Sequence, residues 1–223
     1  GTSDADAASN VQERGMMMDL SITGTIYNLS TLRERIENAT EDVVLHIDSP
    51  GGDAFEGLET AHCIANAKCK VTARVGFLAA SAAAIIALAC DAVEIDKNSL
   101  LMLHNCWTIS IGSKTQLRSD ADGMEAIDKV MHNIIDEHCD NGDIFDAIEK
   151  GDVYLTGEEA AATFDHVSLV ATKRKDGMAA EAPLVNLVQE NRELRKQVED
   201  LRSKNVYTVS ENLQALMEQA KGV

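Results

Sequence analysis

Strand-like and helix-like segments alternate between residues 19 and 171, and this predicts an α/β domain with a mostly parallel sheet covered by helices. Two further observations point the same way. The strand candidates are short apolar runs such as Val43-Val44-Leu45-His46-Ile47. Turn residues follow most of them, and then segments with apolar residues at helical spacing. The chain has 223 residues, of which 45% are hydrophobic and only 4% aromatic, so the core is built from Ala, Val, Ile and Leu. Such a length suits one domain of about 150 residues with an appendage.

Taken in order, residues 20–26 alternate apolar with small or polar side chains, as a half-buried strand does. Ser30 is expected to be the N-cap of a helix that runs through Leu32 and Ile36 to about Ala39. The strand at 43–47 leads into the turn Asp48-Ser49-Pro50-Gly51-Gly52-Asp53. A helix to about residue 67 follows, with Leu58, Ala61, Ile64 and Ala65 on one face. A strand at 71–75 precedes an apolar helical run at 83–89, and further strands are expected at 92–96 and 100–104. Residues 114–140 read as one long helix and 143–150 as a short one. Thr156-Gly157-Glu158-Glu159 has the capping-box pattern and opens a helix to Phe164. A strand at 167–171 closes the domain.

Residues 172–182 form a charged, low-complexity linker. Beyond it Leu184, Leu187, Asn191, Leu194, Val198 and Leu201 recur at alternating spacings of three and four, which is a heptad seam. A helical coiled-coil segment is therefore expected over 183–223, with self-association through 183–205. The lone core Asn191 is of the kind that fixes register in parallel dimers. At the other end, residues 1–18 are expected to be a disordered tail. The stretch 1–15 is polar and acidic and lacks the apolar core of a signal peptide. Met16, Met17 and Met18 offer a candidate natural start.

A net charge of −17 argues against nucleic-acid and anionic-membrane partners. No segment approaches the roughly 18 apolar residues of a membrane span. The five cysteines form no CxxC pair and fit a reducing cytoplasm better than a disulfide framework. His62-Cys63 and His138-Cys139 have no second ligand pair at zinc-site spacing, so neither a metal nor a cofactor is expected.

One segment points to chemistry. Gly76-Phe77-Leu78-Ala79-Ala80-Ser81-Ala82-Ala83-Ala84 sets a single serine among small residues where a strand gives way to a helix. Small neighbours let a substrate backbone approach, and the free N–H groups of a helix N-terminus favour developing negative charge. A nucleophilic serine needs such surroundings. The plain alternative is a serine N-cap. The Ser-Pro-Gly-Gly-Asp turn can aim bare N–H groups at a ligand, so Gly52 and Ala82 are candidate oxyanion donors. An ordinary tight turn is the alternative there; a phosphate loop would need a lysine that is absent.

His104 ends the run Leu100-Leu101-Met102-Leu103-His104 and is the histidine best placed to act as base. His46 lies inside a strand expected to be buried, His62, His132 and His138 fall on helices, and His166 follows a helix end. Cys106, two residues from His104, is a rival nucleophile, although its loop offers no evident oxyanion donors. Lys97 and Lys114 would suit a serine–lysine mechanism, but neither sits where burial would lower its pKa.

Ser-Pro-Gly-Gly at 49–52, Ala-Ala-Ser-Ala-Ala at 79–83 and Leu-Met-Leu-His at 101–104 resemble, in this order and at these intervals, the ClpP family of serine peptidases. Two further stretches are similar to its head-maturation proteases of tailed phages and prophages. They are His104-Asn105-Cys106-Trp107 before a Gly-led long helix, and Tyr154-Leu155-Thr156-Gly157-Glu158-Glu159-Ala160. The resemblance covers about residues 19–171. It implies a ClpP/crotonase-like repeated βαβ spiral and a serine endopeptidase that cleaves capsid or scaffold proteins, in a phage prohead or the host cytoplasm.

Under the same resemblance Ser81 matches the nucleophile and His104 the general base. Gly52 and Ala82 match the oxyanion donors, with Gly51 shaping the turn. The family's acid falls on Asp152, just before 154–156. Asp146 or Glu149 serve instead if the shorter intervening stretch puts the family's aspartate on Gly151. Phe77 departs from the subgroup, which usually has glycine there. The resemblance also implies a homo-oligomer through helix 114–140, with Met124, Ile127, Val130, Met131, Ile134 and Ile135 as its apolar face. The alternative from another class is a crotonase-like acyl-CoA binder, or an inactive assembly protein using the same turn.

Overall fold

The computed structural model describes residues 17–139 and 142–171. The heptad segment, the linker and nearly all of the N-terminal tail lie outside the described residues. The elements run β1 (Met18–Thr23), α1 (Ser30–Glu37), β2 (Val43–Ser49), α2 (Ala54–Ala65), β3 (Val71–Ala80), α3 (Ala82–Leu88), β4 (Ala92–Ile95) and β5 (Leu100–Leu103). Then come α4 (Lys114–Asp136), α5 (Asp143–Ile148), β6 (Val153–Thr156), α6 (Gly157–Thr163) and β7 (Val167–Leu169). Seven strands form one sheet in the order β1-β2-β3-β4-β7, with β5 paired to β3 and β6 to β5. Every pairing is parallel except β5–β6. The sheet is thus mostly parallel, as the alternation of segments predicts.

The core lies between this sheet and the helices. Leu45 and Ile47 of β2, Ala73 and Val75 of β3, and Val93 and Ile95 of β4 are all buried. Helix α3 is buried along its whole length, from Ala82 to Leu88. A short helix that is apolar on every side fits only where both the sheet and other helices cover it, and α2 and α4 pack on it here. Close approach needs small residues. A Cβ added at Gly57 of α2 would come within 2.8 Å of the Ala82 Cβ.

Strand β3 is twice the length that the sequence suggests, because Gly76 is a bend and not a terminus. Up to Val75 it pairs with β4, and from Leu78 it pairs with β5. The register against β2 slips between Ile47/Val75 and Ser49/Ala79, the signature of a bulge that turns the strand. Asp48 closes the bulge by accepting from the Leu78 N–H at 3.2 Å, and the Ser99 hydroxyl donates to the Gly76 carbonyl.

Other expectations shift for identifiable reasons. β1 stops at Thr23, and Ile26 makes an isolated bridge to Gly52. Leu29, not Ser30, is the N-cap of α1; Asn28 Oδ1 accepts from both the N–H and the hydroxyl of Ser30. On α2 the buried residues are Gly57, Thr60, Ala61, Cys63 and Ile64, while Ala65 faces solvent. His46 is not enclosed by its strand: its side chain is half-exposed and lies 2.7 Å from Asp19. Helix α4 ends at Asp136, short of residue 140. The capping box at Thr156 forms, and its hydrogen bonds hold the Glu159 carboxyl below its ordinary pKa. Ahead of it stands β6, an antiparallel strand that the segment pattern does not announce.

Candidate active site

Strands β2, β3 and β5 run parallel, so their carboxyl ends share one edge of the sheet, where open α/β sheets carry their sites. Register does the positioning. Ser49 pairs with Ala79, which brings the glycine turn after β2 alongside the turn after β3. Ala80 pairs with Met102, which sets the residues after β5 beside that same turn. The Ser81 N–H donates to the Met102 carbonyl at 2.9 Å, and His104 follows two residues later.

Between β3 and α3 the chain reverses at Ser81, whose φ of 55° is the one positive value at a non-glycine among the described residues. Such a conformation costs on the order of 1–3 kcal/mol and persists only where its surroundings enforce it. Although Ser81 stands at the N-cap position of α3, its side chain makes no capping hydrogen bond. Its Oγ lies instead 2.7 Å from His104 Nε2. The plain N-cap reading of this serine therefore fails, and strain and hydroxyl are both committed to a histidine.

The glycine turn is fixed from below by Ser49, a buried residue whose hydroxyl donates to the Gly24 carbonyl at 2.6 Å and accepts from the Gly51 N–H at 3.1 Å. Gly51 has a φ of +88°, and a Cβ there would fall 2.5 Å from the Ala80 carbonyl oxygen and 2.7 Å from the Ser81 Cβ. Only glycine permits this contact. Gly52 is equally constrained, since a Cβ on it would lie 2.2 Å from the Ile26 oxygen. The Ile26 bridge engages Gly51 O and the Asp53 N–H. Among the described residues no hydrogen bond is made by the N–H of Gly52 or of Ala82. Both N–H groups are thus uncommitted, one in the turn after β2 and the other on the residue that follows Ser81.

Behind the histidine, Leu103 pairs with Val153 across the antiparallel β5–β6 ladder, so the residue before β6 faces the residue after β5. Asp152 Oδ1 accordingly lies 3.6 Å from His104 Nδ1, an ion-pair distance longer than a hydrogen bond. The His104 side chain is 15% exposed and that of Asp152 42%. Glu149 is engaged elsewhere, accepting from Asn105 Nδ2 at 3.0 Å. Asp146 lies exposed on α5.

The rival groups fare worse. Burial and then Asp128 push the Cys106 thiol above its usual pKa, which depletes the reactive thiolate. Lys97 and Lys114 are both exposed. Phe77 is partly buried on β3. The positioning contacts that pattern reading did not find are those of Asn105, which bridges Glu149 and His132, the latter at 3.1 Å.

Chemically the arrangement offers a hydroxyl, an adjacent proton acceptor and two uncommitted N–H groups. A carboxylate facing Nδ1 favours the tautomer with its proton there, leaving the Nε2 lone pair toward the hydroxyl. A mostly parallel α/β domain bearing this set at the carboxyl ends of its strands is built as a hydrolase. The family model described as Clp protease matches residues 6–174, and the chain belongs to the Clp protease family, hence to the peptidases. No curated protein matches it. No helix among the described residues is long and apolar enough to cross a membrane.

Proposed function

We propose that this chain is a serine endopeptidase with Ser81 as nucleophile, His104 as general base and Asp152 as the acid that orients the imidazole. The observation that carries this reading is the 2.7 Å contact between Ser81 Oγ and His104 Nε2. In the reaction His104 takes the hydroxyl proton as Oγ attacks a peptide carbonyl. The N–H groups of Gly52 and Ala82 hold the oxyanion, and His104 then returns the proton to the leaving amine. Water enters along the same path and hydrolyses the acyl-enzyme. Gly51 keeps the donor turn against the serine, and Phe77 narrows the approach.

The motifs at 104–107 and 154–160, similar to those of phage head-maturation proteases, support capsid or scaffold proteins as substrates. The long helix α4 supports a homo-oligomer: residues 114–123 are exposed throughout, and Leu117 and Val130 present apolar side chains to solvent.

A fluorophosphonate probe tests the chemistry directly. It is expected to label Ser81, as mapped by peptide mass spectrometry, and labelling should vanish in His104→Ala. Ser81→Ala should keep the fold by circular dichroism and lose peptide cleavage. An unlabelled wild type, or a Ser81→Ala variant that cleaves at the wild-type rate, would leave the non-catalytic acyl-binding alternative standing.

A further inference from the structure

The end of α3 opposite Ser81 carries a second cluster of functional groups, one that the peptidase chemistry does not use. His166 lies between α6 and β7 with its side chain only 7% exposed. Its Nε2 lies 3.1 Å from the Leu88 carbonyl at the last turn of α3. A carbonyl can only accept, so Nε2 carries the proton, and in the neutral ring Nδ1 carries the lone pair. That Nδ1 is buried and has no hydrogen-bond partner. It faces Asp165 Oδ1 at 3.6 Å. The same carboxylate oxygen lies 3.0 Å from Nδ1 of His138, which follows the end of α4. The two imidazoles stack with centroids 3.6 Å apart.

Two electron-rich atoms therefore confront each other, His166 Nδ1 from the buried side and the Asp165 oxygen from a side chain that is 74% exposed. A positive charge between them would remove the conflict. A proton on His166 is a costly way to supply it, because the ring is buried and stacked on a second histidine. A metal ion supplies the charge with bonds to spare. Ligand atoms of His138, Asp165 and His166 all lie within 4.8 Å of one another. In a tetrahedral set with bonds of about 2.0–2.1 Å, neighbouring ligand atoms stand roughly 3.3 Å apart. The 3.0 and 3.6 Å separations bracket that value. The Leu88 carbonyl meanwhile accepts from the other ring nitrogen and so fixes the tautomer and orientation that a ligating histidine needs.

We propose that His138, Asp165 and His166 bind a divalent transition-metal ion of the zinc class, through His166 Nδ1, an Asp165 carboxylate oxygen and a ring nitrogen of His138. Two imidazoles and one carboxylate suit such an ion better than Mg2+ or Ca2+, which take oxygen ligands. The fourth position is left for water. The role is structural: the ion ties the end of α4 to the corner between α6 and β7. That corner already holds a backbone bond from the Asp165 N–H to the His138 carbonyl at 3.1 Å.

The full chain, stripped with a chelator and dialysed, is titrated with Zn2+ by calorimetry and by thermal melting. One ion per chain and a Tm raised by several degrees are expected. Co2+ should give the visible absorption of a four-coordinate site. Asp165→Asn removes an exposed carboxylate with little change of shape, and His138→Gln removes a ring; each should weaken Zn2+ binding at least about 10-fold. Circular dichroism checks that both variants fold. A wild type indifferent to Zn2+, Co2+ and Ni2+ overturns the assignment. So does a metal response that both variants retain in full, or one obtained with Ca2+ alone. Fluorophosphonate labelling of Ser81 is a separate readout, so this test can fail without touching the peptidase reading.

Discussion

At the scale of single residues, the proposed acid is the point where geometry and sequence spacing divide the work. Asp152 is 42% exposed and stands 3.6 Å from His104 Nδ1, so water screens part of its field. Catalytic contacts often lengthen in the unliganded state and tighten around substrate. A shift of under about 1 Å would bring this pair to hydrogen-bond length. Glu149, in contrast, is held by Asn105 and would have to abandon that bond to serve. Asp152→Asn is therefore expected to lower kcat/KM about 100-fold or more, mostly through kcat, while Glu149→Gln lowers it by less than about 3-fold. Steady-state kinetics on a peptide substrate decides between them. Equal losses in the two variants would put the acid in a shared network and not on Asp152.

At the scale of elements, the contact of α2 with α3 bears on how firmly the turn at Ser81 is held. Gly57→Ala gains about 1 kcal/mol of helix propensity. The added methyl, however, lies 2.8 Å from the Ala82 Cβ, and overpacking of this kind costs about 1–3 kcal/mol. The two terms nearly cancel in stability but not in position, because Ala82 carries one of the uncommitted N–H groups. Labelling by a fluorophosphonate should slow about 10-fold or more while Tm moves only a few degrees. Unchanged labelling would mean that the turn at Ser81 does not depend on this packing. The elements themselves were unevenly legible. Parallel strands, α2 and the capping box of α6 follow from local patterns of apolar and turn residues. The second half of β3 did not, since Gly76 reads as a terminus unless the Asp48 and Ser99 contacts to the bulge are known. Strand β6 was hidden for a similar reason: four residues with partly exposed side chains carry little periodic signal, and only pairing with β5 defines them. That pairing is what sets Asp152 opposite His104, so the sequence leaves Asp152, Asp146 and Glu149 open as the proposed acid while it singles out Ser81 and His104. His138 and Asp165 stand 27 residues apart, and the fold alone brings them together.

At the scale of the whole molecule, charge and apolar surface pull against each other. Each chain carries a net charge of −17, which makes like chains repel. Yet Trp107, Ile109 and Ile111 are exposed in the loop before α4, and Leu117 and Val130 are exposed on the helix itself. Of the apolar face expected on α4, Met131 and Ile135 are buried within the chain, Ile127 and Ile134 pack partly against its core, and Val130 is exposed. Where such exposed apolar side chains form one patch, a partner ordinarily covers it. Association of copies through it would be driven by apolar burial and opposed by long-range repulsion. Salt screens the repulsion over about 10 Å at 0.1 M and leaves the apolar contact intact. The proposed oligomer is therefore expected to tighten as ionic strength rises, the reverse of an assembly held by ion pairs. Light scattering of the full chain and of residues 16–172, at low and high NaCl, reads this directly. The mass should exceed 24.1 kDa and grow with salt in both, and Ile111→Asp with Val130→Asp should return it to that of one chain. If salt instead dissolves the assembly, the apolar face is not what holds it. If only the full chain associates, the heptad segment carries the contact and α4 does not.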